Sequence, residues 1–360
     1  MIFAKLTHLV CRCCRSQIRL GFSVMKQNDS PRPLCHRLRI VVNFAGLIAL
    51  SLSPALVSCG DGGDDDDSRA GGGKDDVADQ PSSPAPQVIK IERAARVGDR
   101  YHFNGQGQSR QEVEMSMGGK LMPERSQSED FSAELVADVE VLAINENDKP
   151  SQVTVMVKSL TRADDGAAPV TLLENTVVDA VNEAGGVSYS IAGIAVEEKT
   201  QQAIKLFTLL NRNKSKADED AIFGTAESHV PGDEWPVDKA AIANFFSEDT
   251  GMQLVPDSIQ GSMKFEKVES IDGVACQLLA GQVRMDMASF PGVPADASLS
   301  GSSVDVSLSG AFPVDPSLPV AEKSMSMKMS PSLEYTSNGI TVEMRMTMER
   351  TVTSRKTPKQ

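Results

Sequence analysis

The chain has 360 residues and a formal net charge of −13, from 36 Lys+Arg against 49 Asp+Glu; 40% of it is hydrophobic and only 4% aromatic. These proportions exclude a collagen-like or wholly disordered chain and allow one large or two ordinary domains. They also argue against nucleic acid as a partner, because phosphate binding needs a basic surface.

The charge is unevenly spread. Residues 1–58 hold eight Lys/Arg and one acid, Asp29, so they carry +7 and leave −20 for the rest. The basic head runs into an uncharged apolar stretch, Ile40 to Ser58. That is the layout of a secretory signal peptide. Translation from Met25 would suffice for it, since Lys26, Arg32, Arg37 and Arg39 follow. Residues 1–24, with their Cys11, Cys13 and Cys14, then carry no expected role.

The apolar stretch ends in Leu56-Val57-Ser58-Cys59-Gly60. This segment resembles the bacterial lipobox, in which a branched apolar residue and small residues precede a Cys. The resemblance implies that Cys59 receives a diacylglycerol and becomes the first mature residue, with its new N-terminus acylated. The partner so implied is a membrane, held through N-terminal acyl chains; two or three chains hold firmly where one binds only marginally. A spanning helix is the competing reading of a run of this length. Pro54 and the Gly/Asp-rich continuation disfavour it. After cleavage Cys276 is the one other thiol, so the fold cannot rely on an internal disulfide. Its setting, Val274-Ala275-Cys276-Gln277-Leu278, reads as buried and inert.

Residues 59–88 read as an acidic Gly/Asp/Pro-rich tether. Eight Asp stand there against Arg69 and Lys74, and almost nothing can be buried. Asp64–Asp67 lack the alternating spacing and distal Glu of an EF-hand loop. Gly60 rather than Asp behind the modified Cys points to the outer membrane of the cell envelope, on its periplasmic or surface face.

From about Ile89 apolar residues recur with period two, which predicts half-buried strands. Val113, Met115 and Met117 alternate with polar residues. Phe131, Ala133, Leu135, Ala137, Val139, Val141 and Ala143 line a long strand, Asn145–Pro150 turns the chain, and Val153, Val155 and Val157 line the return. Further hairpins are predicted around Ala184-Gly185-Gly186 and Ile271-Asp272-Gly273. The clearest signal is Asn338-Gly339 between Ser324–Thr336 and Ile340–Val352. Pairing Ser337 with Ile340 puts Met325, Met327, Met329, Leu333 and Tyr335 on one face with Ile340, Val342, Met344, Met346 and Met348. It sets Lys328 opposite Glu349 and Glu334 opposite Glu343. Pro331 predicts an edge or a bulge. Helices are expected over Glu197–Asn211 and, more briefly, Asp238–Phe246.

Val97-Gly98-Asp99-Arg100-Tyr101 and Pro231-Gly232-Asp233-Glu234-Trp235 share a Gly-Asp-x-aromatic pattern. It suggests two related β-rich halves, about 89–225 and 226–355, sharing one continuous sheet; chance similarity of five residues is the rival reading. The fold class expected is mainly β: large curved antiparallel sheet or open half-barrel with one or two short helices. Lipobox, tether, Pro-Gly-Asp-x-Trp segment and closing hairpin together resemble uncharacterised lipoproteins of planctomycete-type bacteria, a class of domains of unknown function. The resemblance supplies no activity.

Little in the sequence marks catalysis. The mature chain has two histidines, His102 and His229. There is no Gly-x-Ser-x-Gly elbow, no His-Glu-x-x-His pair and no P-loop, and Gly105-Gln106-Gly107 lacks the third Gly of a dinucleotide fingerprint. No catalytic residue, metal or cofactor is expected. The unusual feature is Met, fourteen of whose sixteen copies lie in the mature chain. Alternating methionines read as plain core, as a pliable apolar groove, or as soft ligands for Cu(I). The expectation is therefore a lipid-anchored, non-catalytic binding or carrier module for an apolar ligand or another envelope component. Its candidate ligand face is Met325, Met327, Met329, Leu333, Tyr335, Val342, Met344, Met346 and Met348. A protein-interaction module with a closed Met-rich core is the structural alternative, and a weak hydrolase or Cu(I)-binding protein the chemical one.

Overall fold

In the computed structural model the residues described are 86–359, apart from 184–185, 208, 211–218, 292, 295–296 and 338. The signal segment, Cys59, nearly all of the tether and the turn residues Ala184, Gly185 and Asn338 lie outside them. Of the strands along the main path of the sheet, six come first: β1 (Arg100–Met117), β2 (Gln127–Ile144), β3 (Pro150–Asp164), β4 (Val170–Glu183), β5 (Gly186–Ile191) and β6 (Ile194–Ala195). Helices α1 (Glu198–Lys205) and α2 (Glu219–Phe223), strand β7 (Glu234–Pro236) and helix α3 (Lys239–Phe245) follow. The chain ends with β8 (Gln260–Ile271), β9 (Val274–Ser289), β10 (Ser303–Pro313), β11 (Glu322–Met329), β12 (Ser332–Ser337) and β13 (Ile340–Pro358).

The protein is mainly β, built on one large antiparallel sheet that does not close and carries few short helices. Its path is β7-β8-β9-β10-β11-β13-β1-β2-β3-β4-β5-β6, with β12 continuing the line of β11 along β13. Each half of the chain thus forms a meander of neighbours. Within this sheet they are joined where β13 runs against β1 without a break, from Val342 opposite Met117 to Pro358 opposite Tyr101.

Turn chemistry sets the hairpin registers. Ile271 faces Val274 across Asp272 and Gly273, both at positive φ (52° and 84°), as a two-residue hairpin requires. Ser337 faces Ile340, Lys328 faces Glu349 and Glu334 faces Glu343. Lys328 Nζ reaches Glu349 Oε1 at 2.5 Å. Pro331 splits the strand into β11 and β12, yet its carbonyl still accepts from Met346 N at 2.9 Å, so the register survives.

The two Gly-Asp segments fold alike. Gly98 and Gly232 have φ of 95° and 101°. Asp99 N donates to Arg96 O at 3.1 Å, and Asp233 N to Val230 O at 3.0 Å. The Asp99 and Asp233 carboxylates accept from Arg96 N and Val230 N at 2.7 and 2.8 Å. Each turn then docks on the neighbouring strand: Gly98 N to Val141 O and Gly232 N to Phe265 O. The aromatic residues that follow, Tyr101 and Trp235, are both buried.

Two apolar clusters lie along the sheet. One holds the first half, Tyr101, Phe103, Leu135, Val155 and Val178 among others, with Ile204, Leu206 and Phe207 from α1 and its exit. The other holds the second half with Val113 and Met115, and ten buried methionines belong to it. The Met-free first cluster is Val/Ala/Leu-rich instead, as a flat sheet-on-helix contact permits. α1 is shorter than the helix expected over Glu197–Asn211: Phe207 N bonds to Ile204 O, and Arg350 takes the carbonyls that a longer helix would use. α3 starts where Asp238 caps Ala240 N and Ala241 N at 2.8 and 2.9 Å, then widens into a turn over Phe246–Thr250 that ends at Gly251, φ 73°. α2 had no sequence signal of its own.

Candidate functional site: a polar cleft beside helix α1

The methionine face is core. Met327, Met329, Leu333, Val342, Met344, Met346 and Met348 are buried, and they share one cluster with Ile242, Phe245, Phe246 and Met252 from the α3 region. Tyr335 is half-buried against that cluster and Met325 is half-buried. The open apolar groove expected there is therefore not what the described residues form. The face is apolar, as the alternation required, but the α2–α3 segment fills it. Period two reveals which side chains turn inward and is blind to what covers them.

The histidines do not gather a hydrolase site. His102 lies on the other face of β1, where its Nδ1 is 3.0 Å from Asp138 Oδ1. Burial pushes the Asp138 carboxyl up, but hydrogen bonds from Lys359, His102 and Lys158 outweigh it and hold it well below the usual range. His229 is buried, stacked on Trp235 at 4.4 Å, with Nε2 3.3 Å from Thr225 Oγ1 and Nδ1 3.4 Å from Asp233 Oδ2. It closes the turn that carries Asp233. Cys276 is buried, and burial pushes its thiol up. Among the described residues no group of three or more His, Cys, Asp and Glu could hold a metal ion.

The inward row of β1 shows where the sheet opens. It reads Tyr101, Phe103, Gly105, Gly107, Ser109, Gln111, Val113 and Met115, apolar at both ends and small or polar between. A Cβ on Gly105 would stand 2.7 Å from Phe207 Cδ1, and one on Gly107 2.8 Å from Leu206 Cδ2. The two glycines thus let the exit of α1 lie directly on the sheet, which is the role of the Gly105-Gln106-Gly107 motif. Beyond them, over Ser109 and Gln111, a cleft of about 1380 Å³ lies between α1, the middle of β1, the start of β2 and the end of β3.

Two buried arginines build this cleft. Arg162, on β3, stacks 3.9 Å over the Phe131 ring and donates to Asp164 at 2.5 Å, Glu129 at 3.3 Å, Gln202 Oε1 at 2.8 Å and Lys199 O at 3.3 Å. It ties α1 to the sheet. Arg350, on β13, donates to Lys205 O at 3.0 Å and to Leu206 O, a cation at the carbonyl end of the helix. Burial lowers its guanidinium to about 10, still charged at neutral pH. Asp164 is held down by Lys199, at 2.8 Å, and by Arg162. Arg162, Glu129, Asp164 and Lys199 are thus committed to one another. Sequence reasoning passed over both arginines. The signal was present: each occupies an inward position of an otherwise apolar row, Arg162 after Leu160 and Arg350 after Met348.

No protein-family model matches the chain, and no curated protein matches it. Solved structures show a distant likeness. A lipovitellin structure concerned with lipid–protein interactions is 9% identical, over 70% of this chain and 25% of that one, at a TM-score of 0.27. A DUF1329 family protein from Desulfovibrio piger is 8% identical over 67% and 83%, at 0.09. Pseudomonas aeruginosa OccK2 in complex with glucuronate is 8% identical over 74% and 100%, at 0.15. The chain spans a quarter of the lipovitellin chain it matches. Superpositions this loose assign neither ligand nor activity to it.

Proposed function

We propose that the protein is a non-catalytic binding module of a bacterial cell envelope, anchored through acyl chains on Cys59 and set off from the membrane by its acidic tether. Binding takes place in the cleft beside α1. The observation that carries this reading is the contrast between the two inward surfaces of the sheet. The methionine face is filled by the α2–α3 segment, while the seam beside α1 holds a cleft of about 1380 Å³ whose rigid walls are pinned by Arg162 and Arg350. Preformed concave sites of that kind are where ligands bind. Among the described residues of the cleft no nucleophile is paired with a base and its orienting partner, as covalent catalysis needs.

Solvent extraction of the purified full chain, followed by mass spectrometry, tests the choice of surface. The expected result is acyl chains released only by hydrolysis of the protein. A stoichiometric, freely extracted fatty acid or phospholipid would restore the methionine face as the site of an apolar carrier.

A further inference from the structure

We infer that the cleft recognises a neutral glycan, through carboxamide and hydroxyl groups left open on its floor. This rests on the reading of the cleft as a binding site and goes on to name its ligand class. Ser109 and Gln111 point inward from β1, and Gln127 points inward from β2; Gln111 faces Glu129 and Val113 faces Gln127 across the strand pair. None of the three side chains makes a hydrogen bond to the described residues, while Arg162, Glu129, Asp164 and Lys199 beside them are engaged with one another. Arg162 is bound to Asp164 and Glu129, and Lys199 to Asp164. On the facing wall, Gln202 spends its carbonyl oxygen on Arg162 and keeps its NH2 group.

A carboxamide offers a donor and an acceptor side by side, and a hydroxyl offers both on one atom. Such groups match the vicinal hydroxyls and acetamido groups of a sugar. Ligands of other kinds fit less well. An anion would need an uncommitted cation on the floor, and the guanidinium of Arg162 is already ringed by acceptors. An acyl chain would need an apolar wall, and Phe131, Val196 and Leu206 are the apolar residues among those that line the cleft, Phe131 under Arg162. An extended peptide would bind along a free strand edge or anchor its side chains in apolar pockets; this floor is the middle of a sheet. With its one aromatic ring covered, the cleft cannot stack a sugar ring on Phe131, so hydrogen bonds provide the affinity and the binding is weak and fast.

The test is ligand-observed saturation-transfer NMR on the full chain, with four separate probes: N,N′,N″-triacetylchitotriose, trialanine, decanoate and inorganic phosphate. The trisaccharide is expected to bind, and Gln111→Ala and Gln127→Ala each to weaken it about fivefold, the usual net worth of one neutral hydrogen bond. Gln106→Ala, on the opposite face of β1, should leave it unchanged and serves as the folded control. Trialanine, decanoate or phosphate bound in place of the trisaccharide and lost in Gln111→Ala would overturn the glycan assignment while keeping the cleft as a binding site. Silence from all four probes on a folded chain would overturn the cleft itself.

Discussion

Lys323 Nζ lies 2.6 and 2.8 Å from the two carboxylate oxygens of Glu219, and both side chains are almost wholly out of water. The pair pins α2 to the end of β11, a position at which no apolar residue of α2 could answer the lysine. Breaking it strands one buried charge, which costs about 3–5 kcal/mol. Glu219→Gln should lose stability in that range by urea unfolding. The double variant Glu219→Leu with Lys323→Met should recover most of it, because matched apolar groups need no desolvation.

Lys356 sits close to this pair, over the Tyr101 ring at 5.0 Å. Burial, helped by the charge of Lys323 and opposed by that of Glu219, lowers its ammonium to about 7. In the unfolded chain it titrates near 10.5, so between the two values the unfolded state binds more protons, and stability must rise with pH across that window. Below about pH 7 the full penalty of a buried ammonium is present. Lys356→Met should therefore stabilise the fold at pH 6, on the order of 3–5 kcal/mol, and leave it little changed at pH 11. Unfolding curves that stay parallel with pH in both proteins would refute this.

Gly105 makes the contact between the α1 exit and the sheet possible. Gly105→Ala brings a methyl group within 2.7 Å of both Phe103 Cε1 and Phe207 Cδ1. Overpacking of this kind costs about 1–3 kcal/mol, and the strain should fall on the shorter partner, the helix. Hydrogen exchange is expected to quicken across Glu198–Lys205 and to stay as it was in β3.

The two Gly-Asp turns invite a paired measurement. Nothing lies within 4 Å of a Cβ on Gly98 or on Gly232, so substitution there meets only backbone strain. Because φ is 95° and 101°, Gly98→Ala and Gly232→Ala should each cost about 1–3 kcal/mol. Their costs should agree closely, since the same hydrogen bonds surround both. Unequal costs would show that His229, which has no counterpart near Asp99, carries part of the second turn.

How much of this was legible depended on sequence distance. Asn338-Gly339 and Asp272-Gly273 name their turns, and period two then fixes the opposite pairs of the last hairpin, down to Lys328 against Glu349, whereas the hairpin at Asp272-Gly273 keeps its register only as far as Lys267 and shifts before Phe265. The joining of β13 to β1 had no such signal, because no turn chemistry connects residues so far apart in the chain. The methionine face was legible as apolar. Its cover was not, since α2 has only five residues and buries Ile222 and Phe223 through tertiary packing rather than through any helical period. The cleft was the least legible feature. Its floor and walls come from β1, β2, β3, α1 and β13, which meet only once the sheet is assembled.

The proposed anchor yields the sharpest prediction about the N-terminal segment. If Cys59 is a lipobox Cys, it is both the acylation site and the cleavage marker, and Cys59→Ala should block both steps together. The uncleaved chain would keep the apolar run Ile40–Ser58 and still partition with membranes. Membrane association alone therefore cannot separate an acyl anchor from a spanning helix. Intact mass can. The native chain should begin at Cys59 and weigh more than its residues by two or three acyl groups, while the variant should retain its basic head and carry none. A spanning helix would leave both proteins uncleaved and unmodified, their masses differing only by the sulfur atom that the substitution removes.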